Sequence, residues 1–118
     1  MLKDLTIFQK AYDFLKWIHV LIKKFPKSEK FVLAQRMENA SLDLLEAIIK
    51  ANKSHDKIVD VDNAVLALEK MRIWFRLAFE LNFVSLRQYE IGSKMINEIG
   101  RLLGGWKKRF CSTKVAGL

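Results

Sequence analysis

LALEKMRIWFRLAFELNFVSLRQYEIGSKMINEIGRLLGGW, Leu66 to Trp106, decides the fold, reading as two amphipathic helices joined by a short turn over residues 81–85. In the first, Val65, Leu66, Leu68, Met71, Ile73, Trp74, Phe75, Leu77, Ala78 and Leu81 spread, at 100° per residue, around roughly two-thirds of the helix. An outer helix of a monomeric bundle needs an apolar face only a little over 100° wide. The excess calls for a cover, most simply another copy of the protein. Ile73, Trp74, Leu77 and Leu81 are the candidate contacts between copies. The polar remainder, Glu69, Arg72, Arg76 and Glu80, is spaced three and four apart, as pairing along a helix requires.

In the second helix of this stretch, about Leu86 to Arg109, the inward set is Ile91, Met95, Ile96, Ile99, Leu103 and Trp106. Outward, Arg87, Lys94, Arg101 and Lys108 recur every seven residues and drift only ~20° per step. They make a ridge of cations roughly 10 Å apart, thickened at its end by Lys107 and Arg109. Such a ridge suits a phosphate backbone, with salt-sensitive affinity and little base specificity. It is equally readable as a solvated face, since Glu90 and Glu98 lie within pairing reach of Arg87, Lys94 and Arg101. Ser85 followed by Gln88 has capping-box spacing, with Val84 and Tyr89 placed as a hydrophobic staple.

Working back, a helix from about Lys3 to Lys24 carries Leu5, Phe8, Tyr12, Leu15 and Ile22 at three- and four-residue steps, and Pro26 ends it. His19 falls on that stripe and reads as a core or interface residue with one hydrogen bond, because a ligand or base needs converging partners. Trp17 projects outward among Lys3, Lys10 and Lys24, either to stack on a base or to lie under lysine stems or in a subunit contact.

The next helix starts with Ser28 as N-cap and Glu29 in its first turn and runs to about Asn52. Its inward set is Phe31, Ala34, Met37, Leu42, Leu45, Ile48 and Ile49, opposite Arg36, Asp43, Glu46 and Lys50. Glu38 lies on the apolar side, where an ion pair or cap to a neighbouring helix is its expected role. Residues 52–60 form the longest connection, closed by Asp60 or Asp62 as the cap of the third helix.

The chain is thus read as all-α, an antiparallel up-down four-helix bundle with helices at about 3–24, 29–52, 61–81 and 86–109. Residues 1–110 form the bundle and 111–118 a short C-terminal tail. One proline, five glycines and no long alternating β-branched run leave little material for a sheet. With 118 residues the core supports itself without staples. The single cysteine, Cys111, has no partner, which points to a reducing, cytoplasmic setting. Charges throughout the first thirty residues exclude an apolar signal core, and no uncharged run spans a bilayer, so no membrane is expected.

The net charge of +8 is unevenly placed. Residues 1–30 have seven Lys and Arg against three Asp and Glu, residues 31–85 seven against eight, and residues 86–118 seven against two. The segments carry +4, −1 and +5, so basic charge belongs to the first and last helices and points to a polyanion or an acidic protein surface. No glycine-rich phosphate loop and no paired His and carboxylates at ligand spacing are present. Gly100, Gly104 and Gly105 read as allowing close helix approach or ending the last helix. Lone inward Glu38 does not make the repeated Glu and Glu-x-x-His set of a bundle metal site. No catalytic residue, metal or cofactor is expected, and the chain is read as not an enzyme.

Met71-Arg72-Ile73-Trp74-Phe75-Arg76-Leu77-Ala78, then Tyr89-Glu90 and Glu98-Ile99-Gly100-Arg101-Leu102-Leu103-Gly104-Gly105-Trp106, resemble the accessory variability determinant (Avd) family of diversity-generating retroelements. Phe25-Pro26-Lys27-Ser28 followed by Arg36-Met37-Glu38-Asn39 resembles the wider family of four-helix bundles that includes proteins encoded in intervening sequences of bacterial large-subunit rRNA genes. The likeness runs from about Leu5 to Arg109. It implies a ring-like homopentamer whose basic surface binds nucleic acid, RNA template or cDNA, and the retroelement's reverse transcriptase. The implied role is a scaffold for the error-prone copying of mutagenic retrohoming. The rRNA-associated relatives imply an alternative, the same bundle in a structural or general RNA-binding role with no polymerase partner. Residues 111–118 have no counterpart in the resemblance.

Overall fold

In the computed structural model, residues 5–116 are described, with side chains from residue 6 to residue 110. Lys3, the side chain of Leu5, the side chain of Cys111 and most of the expected tail's detail lie outside that set. The chain forms α1 (Leu5–Ile22), a 3₁₀ turn (Lys27–Glu29), α2 (Leu33–Lys53), α3 (Lys57–Glu80) and α4 (Leu86–Ala116), with no strand among the described residues. Each helix packs on its sequence neighbours, and α4 closes the square against α1. The result is the antiparallel up-down bundle, 51 × 21 × 21 Å.

The core runs along the bundle axis. Its largest fully buried side chains are Ile7, Phe14 and Ile18 of α1, Met37, Leu44 and Ile48 of α2, Val61, Met71 and Phe75 of α3, and Ile96, Ile99 and Leu103 of α4. Each such side chain contributes about 1.5–3 kcal/mol by leaving water. Near the α3–α4 turn the core is aromatic. Trp17 meets Phe75 edge-on with centroids 6.1 Å apart, Phe75 and Phe79 both pack on Tyr89, and Phe25 lies against Phe83. Gly92 lets α4 approach this cluster, since a Cβ there would fall 2.4 Å from Phe75 Cζ and 2.8 Å from Trp17 Cζ3.

The α3–α4 turn is built by local chemistry. Asn82 takes a left-handed φ of 66°, which asparagine tolerates better than most residues. Phe83 N–H then donates to Ala78 O at 2.9 Å and Asn82 N–H to Phe79 O at 3.0 Å, the paired bonds of a Schellman end. Three residues on, the expected capping box is present: Ser85 N–H donates to Gln88 Oε1 at 2.9 Å and Gln88 N–H to Ser85 Oγ at 3.1 Å.

Other boundaries differ from the sequence reading. Ser28 is not an N-cap but lies inside the 3₁₀ turn, and α2 begins at Leu33 with no side-chain cap. Pro26 starts that turn from an extended backbone, and its carbonyl takes the N–H of Glu29 at 2.9 Å, so the chain winds tightly before α2 can begin. Consequently Phe31 falls outside helical register and is exposed, while Phe25 fills the core.

The α2–α3 connection is only residues 54–56, and neither Asp60 nor Asp62 caps α3. Lys57 replaces the expected cap from the other side, donating its Nζ to Ala51 O at 2.7 Å and closing the end of α2. At the far end, α4 runs through Gly104, Gly105 and on to Ala116, so the glycines do not end it. Neither Gly104 nor Gly105 serves close helix approach within the chain, because an added Cβ at either meets nothing within 4 Å.

The inward faces of two helices are rotated from expectation. On α1 the buried set is Ile7, Ala11, Phe14, Ile18, Leu21 and Ile22, with Phe8 and Leu15 half-buried and Tyr12 exposed. On α2, Leu42 is exposed and Leu45 and Ile49 are half-buried, whereas Leu44, Ala40, Ala47 and Ala51 are buried. Both helices carry apolar residues on two adjoining faces, and alanines admit the closer approach of the neighbouring helix. On α4, Ile91 is exposed and the remaining expected inward residues are buried or half-buried.

Candidate nucleic-acid interface and subunit surface

α4 turns Gly92, Ile96, Ile99, Leu103 and Trp106 to the core, which fixes the direction of its opposite face. Arg87, Lys94, Arg101 and Lys108 all lie exposed on that face, with Lys107 and Arg109 exposed beside its end. Their electrostatics are unequal. Arg101 is clamped by Glu98 in two contacts, Nη2 to Oε1 at 2.6 Å and Nε to Oε2 at 3.2 Å. The hydrogen bond from Arg101 holds the Glu98 carboxyl below its ordinary value, and Lys10 of α1 adds a smaller pull in the same direction.

Lys107 reaches across to Asp62 of α3 at 3.0 Å, and the Arg109 guanidinium lies 5.2 Å from the Phe110 ring. Among the described residues, no ion pair joins Glu90 to Arg87 or Lys94, and none engages Lys108. The solvated-face reading therefore accounts for Arg101 and Lys107, and among the described residues it leaves Arg87, Lys94 and Lys108 without an ion-pair partner.

α3 presents the second surface. Ile73 is 61% exposed, Leu77 39% and Leu81 48%, and Leu66 continues the stripe toward the start of the helix at 49%. Trp74 is half-buried at its edge. Steps of seven and four residues keep these side chains on one line, away from the buried Val61, Ala64, Leu68, Met71, Phe75 and Ala78. The polar strip beside it is divided: Arg76 pairs with Glu80 at 2.9 Å, while Arg72 donates to Asn97 of α4 at 2.6 Å.

Two residues singled out in the sequence are placed differently. Trp17 does not project freely outward; it is half-buried, with its ring against Phe14 and Phe75. His19 is exposed and not in the core, with Nδ1 2.5 Å from Glu38 Oε1, which gives Glu38 its interhelical partner. Among the described residues no three His, Cys, Asp or Glu side chains converge as a metal site requires. No described helix is long and apolar enough to cross a membrane.

A family model described as bAvd-like matches residues 5–110. The chain belongs to the bAvd-like family. Membership supports, at the level of the family, an accessory protein of a diversity-generating retroelement. No curated protein matches the chain. Among solved structures it is similar to a protein of unknown function from the S23 ribosomal protein family of Bacteroides thetaiotaomicron VPI-5482. The TM-score is 0.83 at 23% identity, over 90% of this chain and 98% of that one. At this identity the likeness shows the shared bundle and no more.

One surface of this bAvd-like bundle escaped the sequence reading. Between α1 and α2 a groove of about 340 Å³ is lined by His19, Ile22, Lys23, Lys30, Phe31, Ala34, Gln35 and Glu38. Its only forewarning in the sequence is Pro26, which marks a break in the chain but not how many residues the break consumes.

Proposed function

We propose that this protein is a non-catalytic, homo-oligomeric accessory factor of a diversity-generating retroelement, acting in the cytoplasm. Copies join through the α3 stripe of Ile73, Trp74, Leu77 and Leu81 into a ring, a pentamer by resemblance to the Avd family. The assembled ring presents α4 outward, and Arg87, Lys94, Arg101, Lys107, Lys108 and Arg109 bind RNA template or cDNA and the reverse transcriptase during mutagenic retrohoming. The observation that carries this reading is the α4 ridge, where Arg87, Lys94 and Lys108 stand exposed without ion-pair partners among the described residues. Repetition of that ridge in an oligomer multiplies phosphate contacts without new residues.

Charge reversal at Arg87, Lys94 and Lys108 tests it. Binding of labelled RNA at low salt should fall by orders of magnitude, with the oligomer's mass unchanged. Retention equal to that of the unaltered protein would remove the reading.

A second reading is favoured by the fold shared with the S23-family protein. The same ring and ridge then serve general RNA binding, with no polymerase partner. Co-purification with the reverse transcriptase separates the two: the first reading requires a stable complex that the ridge variants lose, and the second requires none.

A further inference from the structure

The segment joining α1 to α2 holds the most exposed aromatic ring among the described residues, Phe31, which is 84% exposed. The ring is not idle surface. It forms one wall of the 340 Å³ groove, whose apolar lining includes Ile22 and whose cations are Lys23 and Lys30. Gln35 adds an amide that both donates and accepts, and the Glu38 carboxylate is already engaged by His19. An aromatic face, flanking lysines and a neutral hydrogen-bonding side chain in one concave site is the arrangement by which proteins hold unpaired bases.

We propose that this groove holds a nucleobase of single-stranded nucleic acid, stacked on Phe31, with the neighbouring phosphates on Lys23 and Lys30. The assignment rests on the reading of the protein as a nucleic-acid binder but adds a site on helices other than the one carrying the ridge. Charge decides between a strand and a second copy as the occupant. Residues 23–30 contain Lys23, Lys24, Lys27 and Lys30 against Glu29 alone, on a chain of net charge +8. A phosphate backbone neutralises that rim, whereas another copy of this basic chain brings like charge to it. The α3 stripe, flanked by Glu69 and Glu80 as well as by Arg72 and Arg76, is free of that penalty and is where copies meet.

Stacking discriminates strands from duplexes because only an unpaired base offers its face. The full-length protein is titrated into a labelled single-stranded homopolymer RNA and, separately, into a duplex RNA of equal length. Phe31→Ala should weaken single-strand binding about tenfold, with duplex affinity, helicity and oligomer mass unchanged. Phe31→Trp should restore the affinity, with new indole emission that the bound strand quenches. Lys23→Glu with Lys30→Glu should flatten the salt dependence of single-strand binding.

Unchanged single-strand affinity in Phe31→Ala overturns the proposal. So does a change of oligomer mass with affinity retained, which assigns the groove to a second copy. Binding lost in the α4 charge-reversal variant but intact in Phe31→Ala removes this pocket and leaves the ridge standing. Absence of RNA binding in the unaltered protein removes both.

Discussion

Ser85 and Gln88 hold the start of α4 reciprocally, each backbone N–H donating to the other's side-chain oxygen, at 2.9 and 3.1 Å. Two of the helix's orphan donors are thereby satisfied at an exposed turn, where nothing else among the described side chains replaces them. Ser85→Ala should cost about 1 kcal/mol. In a chain of this size that lowers the thermal midpoint by roughly 4 °C, readable by circular dichroism. A midpoint unmoved by the change would mean that the cap is not formed in solution.

The glycines of α4 predict opposite signs for one substitution. Alanine normally stabilises a helix by up to about 1 kcal/mol over glycine. At Gly104, where a Cβ meets nothing within 4 Å, that gain should appear in full as a raised midpoint. At Gly92 the Cβ would press on Phe75, which is buried, and on Trp17. Overpacking there should outweigh propensity and destabilise by about 1–3 kcal/mol. Denaturant titration of the two variants in parallel checks both signs.

These contrasts show which features the sequence carries openly. The capping box at Ser85 and Gln88 and the stop at Pro26 are set within four residues, so they are legible without knowing any neighbour. The surplus apolar character of α3 is legible too, since it depends on how much of the helix is apolar and not on which part faces inward. Phase is another matter. On α1, Phe8, Tyr12 and Leu15 compete with Ile7, Ala11, Phe14 and Ile18 for the core, and the outcome depends on how closely α2 and α4 approach. Likewise Trp17 reads as outward until Gly92 on α4, 75 residues away, opens the space it fills. Phe31 is displaced by a 3₁₀ turn, and Lys57 closes α2 through its side chain; neither device has a periodic signature.

Leu77 should report on assembly. It lies mid-stripe, 39% exposed, between Ile73 and Leu81 and apart from the buried core residues of α3. Leu77→Glu should leave the helical content of the subunit unchanged while placing a charge in each copy-to-copy contact. Light scattering should then show the mass of a single chain, 13.8 kDa, where the unaltered protein shows a multiple of it. Equal masses for the two would show that α3 does not join copies.

Glu98 predicts a pH effect of defined sign. Its carboxyl lies below the ordinary glutamate value because Arg101 donates to it. A depressed folded-state value contributes stability that is complete above the ordinary glutamate range and is lost as the pH falls through the depressed value. The exposed setting keeps that contribution small. In a carboxyl NMR titration Glu98 should therefore protonate later than free glutamate on acidification, and Arg101→Gln should move it back up.

The same ion pair sets an expectation for nucleic-acid affinity that differs from ordinary charge removal. Glu98 occupies the Nε and Nη2 donors of Arg101, which weakens the hold the guanidinium can take on a phosphate, and the carboxylate also repels the strand. Glu98→Gln frees the cation and deletes the repulsion, so affinity for RNA should rise several-fold at low salt. Releasing one further counterion-displacing contact should steepen the dependence of log affinity on log salt by about 0.9 for a duplex and about 0.7 for a single strand. A generic increase in net charge predicts an equal gain from Asp43→Gln on α2, away from the ridge, so comparing the two variants separates a local contact from the protein's overall field. Equal gains, or none at Glu98, would take Arg101 out of the binding surface.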